Sequence, residues 1–306
     1  LTSRGCFHSP TMSCSIICRL AKAILLGAIP ILLWLLLFLN TNLIPTKIRP
    51  PISVWLLPRL DYLLFFSSFG LLLFSIFLIM RCLSDLSNYQ SSFLDILAWL
   101  PYGLFHYLSP LISAFSFLYF TGVNNTVIFA QCFGLQNFTA VLIQILFPTA
   151  PPWYRDINGD NPANYSMIGN PGGLARVDDI LGTSMYKNVF NNSPLVFGAM
   201  PSLHSGFACI ICIFTFHFSK RYGFLLSIFV MWQWWATMYL HHHYMVDLIG
   251  GASLSLFYYM LGRKYLRPIP NYPGSSKFYD LSSPPGAYKP IEQANIHDYQ
   301  PMINQN

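Results

Sequence analysis

The chain has 306 residues, of which 54% are apolar and 17% aromatic, while only 9% are charged. Soluble domains carry about 25% charged residues, so this chain lacks the side chains to coat a globule of its size in water. That excludes an ordinary soluble enzyme, and 17 Lys plus Arg against 11 Asp plus Glu are too few for a disordered or nucleic-acid-coating protein. An all-α, polytopic membrane helical bundle remains. The net charge of +6 sits largely in short loops and tails, and so implies no anionic partner.

Leu1 rather than Met opens the chain, which reads as a fragment, with 1–19 as an incomplete N-terminal segment. A spanning helix needs about 20 mostly apolar residues. Such runs fall at 20–40, 97–120, 126–148, 201–218, 222–240 and 244–262. A seventh stretch, 62–80, starts beside Asp61 and ends at Arg81, so the expected count is six to seven spans. Continuous apolar runs without strand alternation indicate helices rather than a barrel. Residues 20–262 thus form a membrane domain, interrupted by a long polar loop at 149–200. Residues 263–306 are rich in Pro, Ser, Tyr and Asn and read as a flexible tail. Lys220 and Arg221 separate two spans, and Arg263, Lys264 and Arg267 follow the last. The positive-inside rule places both sites in the cytosol, and loop 149–200 with His241-His242-His243 on the opposite, luminal face. Six spans put the N-terminus in the cytosol; a seventh reverses it. Cys209 and Cys212 form a C-x-x-C inside an apolar run, which reads as packing rather than metal or redox chemistry.

Ionisable residues near membrane depth carry the functional signal. Between Asp179 and Asp280 the only acid is Asp247, four residues after His243. Residues four apart share a helix face, so the carboxylate can take a hydrogen bond from one imidazole nitrogen and leave the other free to attack. A second cluster, Pro201-Ser202-Leu203-His204, opens another span on the same face. A helix start offers free N–H groups and a positive dipole end to a phosphate. His204, His243 and Asp247 are the candidate catalytic residues. The consecutive histidines 241–243 do not form a zinc set, because neighbours on a helix point about 100° apart. His106 lies within a span and reads as a packed polar contact. Sequons occur at Asn124, Asn137, Asn164 and Asn191; Asn137 is inside a span, and the last two lie on the polar loop.

The two clusters resemble the second and third motifs of the type 2 phosphatidic acid phosphatase superfamily. Pro201, Ser202, Leu203 and His204 match P-S-x-H. His243 and Asp247 match the end of S-R-x5-H-x3-D, although Ala236 and Thr237 stand in place of the Ser-Arg pair. No K-x6-R-P, the first motif, is present. Longer strings narrow the resemblance. Gly198–Gly206, Trp234–Tyr244, Pro171–Asp178, Phe93–Gly103 and Phe147–Tyr154 are similar to the fungal inositol phosphorylceramide synthases, with coverage from about residue 21 to 265.

That resemblance implies a phosphatidic acid phosphatase type 2-like core. It implies transfer of phosphoinositol from phosphatidylinositol to ceramide with release of diacylglycerol, without cofactor or metal. His243 would be the nucleophile, Asp247 its orienting partner and His204 the acid and base. The missing family arginines leave the phosphate without a cation. The loop offers Arg155, Arg176 and Lys187; Arg176 is the choice for phosphate binding, with Ser202, because Gly172-Gly173 allows close approach. The resemblance further implies a Golgi membrane location, membrane lipids as surroundings and a small membrane regulatory subunit as partner. The rival readings are a lipid phosphate phosphatase and a catalytically silent scaffold.

Overall fold

The computed structural model describes residues 14–66 and 90–268. Most of the 62–80 stretch, the expected tail and the first 13 residues lie outside that range. The described residues contain helices and no strand; two isolated bridges, Ser53–Thr149 and Thr149–Gly198, tie loops together. In chain order the helices are α1 (Cys14–Leu39), α2 (Leu56–Phe66), α3 (Ser92–Trp99), α4 (His106–Thr121) and α5 (Val123–Leu146). Three short helices follow: α6 (Pro152–Asn158), α7 (Leu174–Leu181) and α8 (Met185–Asn191). The chain closes with α9 (Leu203–Phe218), α10 (Lys220–Tyr239) and α11 (Met245–Gly262).

Among the described residues, four helical stretches are long and apolar enough to cross a membrane: 21–39, 92–121, 123–146 and 245–265. Two expected spans are weaker by these measures. Helix α9 is apolar but has 16 residues. Helix α10 has 20 residues but opens with Lys220 and Arg221 and contains Gln233. The outward faces carry many exposed apolar side chains: Leu36 is 59% exposed, Phe115 71% and Ile228 57%. Such surfaces need lipid rather than water around them.

Contacts define two ends. Gly27 of α1 packs on Ala130 of α5, and Gly134 on Pro30 and Ile31, so these helices run parallel. Helices α9 and α11 are also parallel, with Ser202 at Asp247 and His217 at Tyr259. One end therefore gathers the C-termini of α1, α5 and α10 and the starts of α3, α9 and α11. The other gathers the start of α1, the α9–α10 turn and the end of α11. There Asn125 holds the backbone of Arg267, with bonds of 3.0 and 2.8 Å. The start of α1 and the end of α11 thus share an end, which resolves their relative sidedness.

The segment 149–200 is not a loose loop. It folds over the first end as α6, α7 and α8, burying Trp153, Tyr154, Leu174 and Val177. Buried Asp178 accepts from the backbone N–H groups of Tyr186 and Lys187 at 3.1 and 2.9 Å, fixing the start of α8.

The seam between α9 and α11 sets the site. A Cβ on Gly251 would lie 2.2 Å from the Ser202 carbonyl oxygen, so only glycine permits this approach. Ser205 donates to the Leu248 carbonyl at 2.6 Å, and Ser255 to the Gly206 carbonyl at 2.9 Å. Gly251→Ala should therefore push the helices apart and destabilise the protein by about 1–3 kcal/mol. A melting temperature measured in detergent and unchanged by this substitution would contradict the seam.

Candidate functional site

The α9 and α11 starts carry the expected residues to one place. Ser202 caps α9: its hydroxyl accepts from the Ser205 N–H at 3.3 Å, and its own N–H donates to the Asp247 carbonyl at 2.9 Å. His204 follows in the first turn. The α10–α11 turn is tight, with His241 at φ 60° and the N–H groups of His242 and His243 both donating to the Thr237 carbonyl. This turn delivers His243 opposite His204. His243 Nδ1 lies 2.7 Å from Asp247 Oδ2, and His243 Nε2 lies 3.4 Å from His204 Nδ1. Asp247 is fully buried and His243 is 8% exposed. The three side chains meet, with the Nε2 edge of His243 facing His204.

The neighbouring histidines diverge. His241 pairs with Asp156 at 2.5 Å, and His242 Nε2 lies 3.0 Å from the Pro171 carbonyl oxygen. Burial pushes His242 down to about 3, with His243 adding to the effect. Burial pushes His243 down as well, which keeps Nε2 free as a lone pair. Ala236 and Thr237, where the phosphatase motif has Ser-Arg, are fully buried. An arginine there would have to bury its charge in the core.

A column of rings runs through the site, a feature the sequence did not announce. Phe190, His242, Tyr102, His204, His106 and Phe207 stack in that order. Successive centroids are 4.9, 5.0, 4.1, 4.2 and 4.4 Å apart, at interplanar angles of 19–34°. His204 is therefore clamped between Tyr102 and His106. Those two residues are four apart, and in a regular α-helix their Cβ atoms would sit about 5–6 Å apart. A ring between them needs a wider gap. The helix supplies it with a π turn at Leu100–Phe105, where Pro101 brings no N–H. His106, expected to be a packing residue, has a buried Nδ1 without a partner.

Arg176 stands elsewhere than expected. Its Nε and Nη2 donate to Asp95 at 2.9 and 2.7 Å, and Tyr239 donates to the same carboxylate at 3.0 Å. Its charge is thus countered, and it does not line the cavity of His204. Asp95 was missed as a site residue; the signal was an acid at the mouth of an apolar run. The cavity at the two catalytic histidines is small, about 140 Å³, and is lined by Tyr102, Trp153, Phe190, His204, His242 and His243 among others. No lysine or arginine lines it among the described residues.

Two outcomes follow from this geometry. Replacing Tyr102 by Leu, or His106 by Ala, should cut turnover by about 10²-fold, the usual consequence of a misplacement of about 1 Å, while His106→Phe should retain most of it. Equal activity in all three at matched protein level would remove the clamp. For His242 the sign is fixed by its lowered value. The unfolded chain, with an ordinary value near 6.5, binds more protons between about pH 3 and 6.5, so stability rises with pH across that window. The melting temperature should fall on acidification from pH 7 to 5, and His242→Gln should flatten that slope; an unaltered slope would contradict it.

Comparison with known proteins follows the same residues. A family described as the PAP2 superfamily matches residues 75–261. Inositol phosphorylceramide synthase catalytic subunit aur1 of Schizosaccharomyces pombe is 43% identical over 249 residues, which is 81% of this chain and 56% of the relative. Inositol phosphorylceramide synthase of Candida albicans is 41% identical over 237 residues, 78% of this chain and 48% of the relative. A bacterial relative, phosphoinositol dihydroceramide synthase of Bacteroides thetaiotaomicron, is 30% identical over 142 residues, 45% of this chain and 46% of its own. The chain spans about half the length of the first two relatives. No solved structure matches.

Proposed function

The chain belongs to the PAP2 superfamily, and from that premise we propose that it transfers phosphoinositol from phosphatidylinositol to ceramide, giving inositol phosphorylceramide and diacylglycerol. The observation that carries this reading is the His204–His243–Asp247 constellation, with contacts of 3.4 and 2.7 Å. The names of the fungal and bacterial relatives supply the substrate class.

In the first half-reaction, His243 Nε2 attacks the phosphorus and the bond from phosphorus to the diacylglycerol oxygen breaks. That oxygen takes its proton from His204, which carries one once the anionic diester is bound. A nitrogen–phosphorus bond now holds phosphoinositol on His243, and Asp247 stabilises the positive charge on the ring through Nδ1. In the second half-reaction, His204 takes the proton from the primary hydroxyl of ceramide. The ceramide oxygen attacks, the nitrogen–phosphorus bond breaks, and His204 is protonated again. Tyr102 against the face of His204 holds the ring in orientation for both proton transfers. The start of α9, capped by Ser202, turns a positive dipole end toward the phosphate.

The site faces the lumen of a Golgi membrane in this reading, with the basic end in the cytosol and a small membrane subunit as partner. Protease cleavage of segment 149–200 from the cytosolic side of sealed vesicles would reverse that orientation. The activity is tested by incubating membranes with phosphatidylinositol and labelled ceramide. Label entering an acidic lipid supports the transferase; release of free inositol phosphate or phosphatidic acid selects a hydrolase instead. His243→Ala should abolish both transfer and diacylglycerol release. His204→Ala should lose about 10²–10⁴-fold. Asp247→Asn should retain a small residual rate, because the wrong tautomer then dominates. Full activity in a well-folded His243→Ala variant would end the nucleophile assignment.

A further inference from the structure

The catalytic cavity poses a problem of size and charge. At about 140 Å³ it falls below the roughly 300–1,000 Å³ of ordinary ligand pockets, and among the described residues no lysine or arginine lines it. Arg176, the nearest expected cation, is held by Asp95. A larger cavity of about 330 Å³ adjoins it, and the two share Ser193, Leu195 and Val196 as a common wall. The larger cavity lies between the end of α1, the end of α5 and the segment 165–197.

Its lining is rich in hydroxyl and amide groups, Thr46, Gln144, Asn191 and Ser193 among them, and it contains one arginine, Arg49. Arg49 is fixed in place: Nε donates to the Ile44 carbonyl at 3.0 Å, Nη2 donates to the Thr41 carbonyl at 2.7 Å, and the guanidinium lies 5.0 Å from the Tyr165 ring centroid. No carboxylate pairs with it among the described residues, so its charge is not compensated. A third cavity at this end, of about 380 Å³, has no lysine or arginine in its lining among the described residues. Buried Gln144 in the lining of the larger cavity ties it to the start of α9, because its Nε2 donates at 2.9 Å to the Pro201 carbonyl directly before Ser202.

We infer that the Arg49 cavity is the headgroup site for a polyol phosphate, which on the reading above is the inositol ring of the donor lipid. The ring's hydroxyls meet the hydroxyl and amide side chains. Arg49 supplies the positive charge that the catalytic cavity lacks, acting on the anion across the shared wall. The phosphorus can then sit at His243 while the ring occupies the neighbouring chamber. Arg49 is a binding residue in this scheme and takes no part in proton transfer.

The test uses the full chain in detergent with lipid substrates and three soluble probes: myo-inositol 1-phosphate, glycerol 1-phosphate and inorganic phosphate. Inositol phosphate should compete with phosphatidylinositol and raise the melting temperature more than the other two. Arg49→Gln should raise KM for phosphatidylinositol about tenfold or more, as expected for a lost charged hydrogen bond. It should leave KM for ceramide unchanged and abolish the stabilisation by inositol phosphate. Because Arg49 also braces the segment 41–49, Thr46→Val serves as a second, near-isosteric variant, expected to weaken inositol phosphate binding with the melting temperature intact. Equal effects of inositol phosphate and glycerol phosphate on the unaltered chain would overturn ring recognition, as would a folded Arg49→Gln variant with unchanged KM and unchanged stabilisation. If the unaltered chain makes no inositol phosphorylceramide, the transferase reading fails by itself, and the thermal shift with inositol phosphate still decides the cavity.

Discussion

A carboxylate buried in an apolar bundle has to be compensated, and much of this structure follows from how Asp247 is. Isolated charge in low-dielectric surroundings costs several kcal/mol. Asp247 has no exposed surface, and a single imidazole, four residues back, meets its Oδ2. The pairing requires His243 to sit just outside the first turn of α11, so α10 has to end abruptly. It does so at the positive-φ turn of His241, with the Leu240 carbonyl taken by Gly173 and the His241 carbonyl by Trp153. The folded segment 149–200 is thereby latched to the turn at two points. The same carboxylate residue offers its own carbonyl to the Ser202 N–H, so the two motif-bearing helices are joined through the residue that orients the nucleophile.

The ring column acts at right angles to that pairing. The bond to Asp247 fixes His243 in its own plane; stacking fixes His204 by its faces, which leaves its Nδ1 edge turned to His243. A clamp of stacked rings holds orientation without occupying a nitrogen, and an acid–base residue that must both give and take a proton needs its nitrogen free. The π turn in the α3–α4 span is the backbone cost of this arrangement. It persists because the His204 ring fills the widened gap between Tyr102 and His106.

The parts of this organisation that were legible from sequence are those encoded by short spacings. His243 and Asp247 read as a pair from four-residue periodicity. Lys220 and Arg221 between two apolar runs read as a hairpin, and the hairpin brings His204 back to His243. What was hidden depends on partners far apart in the chain. Pro101 near a helix start is compatible with an ordinary first turn, and only the ring of His204, about a hundred residues on, requires a wider one. Arg176 beside two glycines read as a free phosphate ligand because Asp95, 81 residues away, gave no local sign of reaching it. Segment 149–200 read as a loop because its helices have only seven or eight residues each, too short to show a period, and their order comes from burial against α3 and the α10–α11 turn.

Charge sorts along the same axis as function. The end opposite the site carries Lys22, Lys220, Arg221, Arg263, Lys264 and Arg267 and, among the described residues, no acid. Every described acid lies at the site end, where Asp95, Asp160 and Asp179 engage Arg176, Arg155 and Lys187. Neutralising bases in pairs at the site end has a consequence for an anionic substrate. A cation already held by a carboxylate adds little attraction at a distance, so the field that reaches the cavities comes from bases without such a partner. Arg49 is in that position, rigidly braced and beside the catalytic chamber, whereas the basic residues of the far end lie the whole length of the bundle away. Among the described residues that line the three cavities at the site end, Arg49 is therefore the base that no carboxylate neutralises, and the one placed to attract a phosphate there.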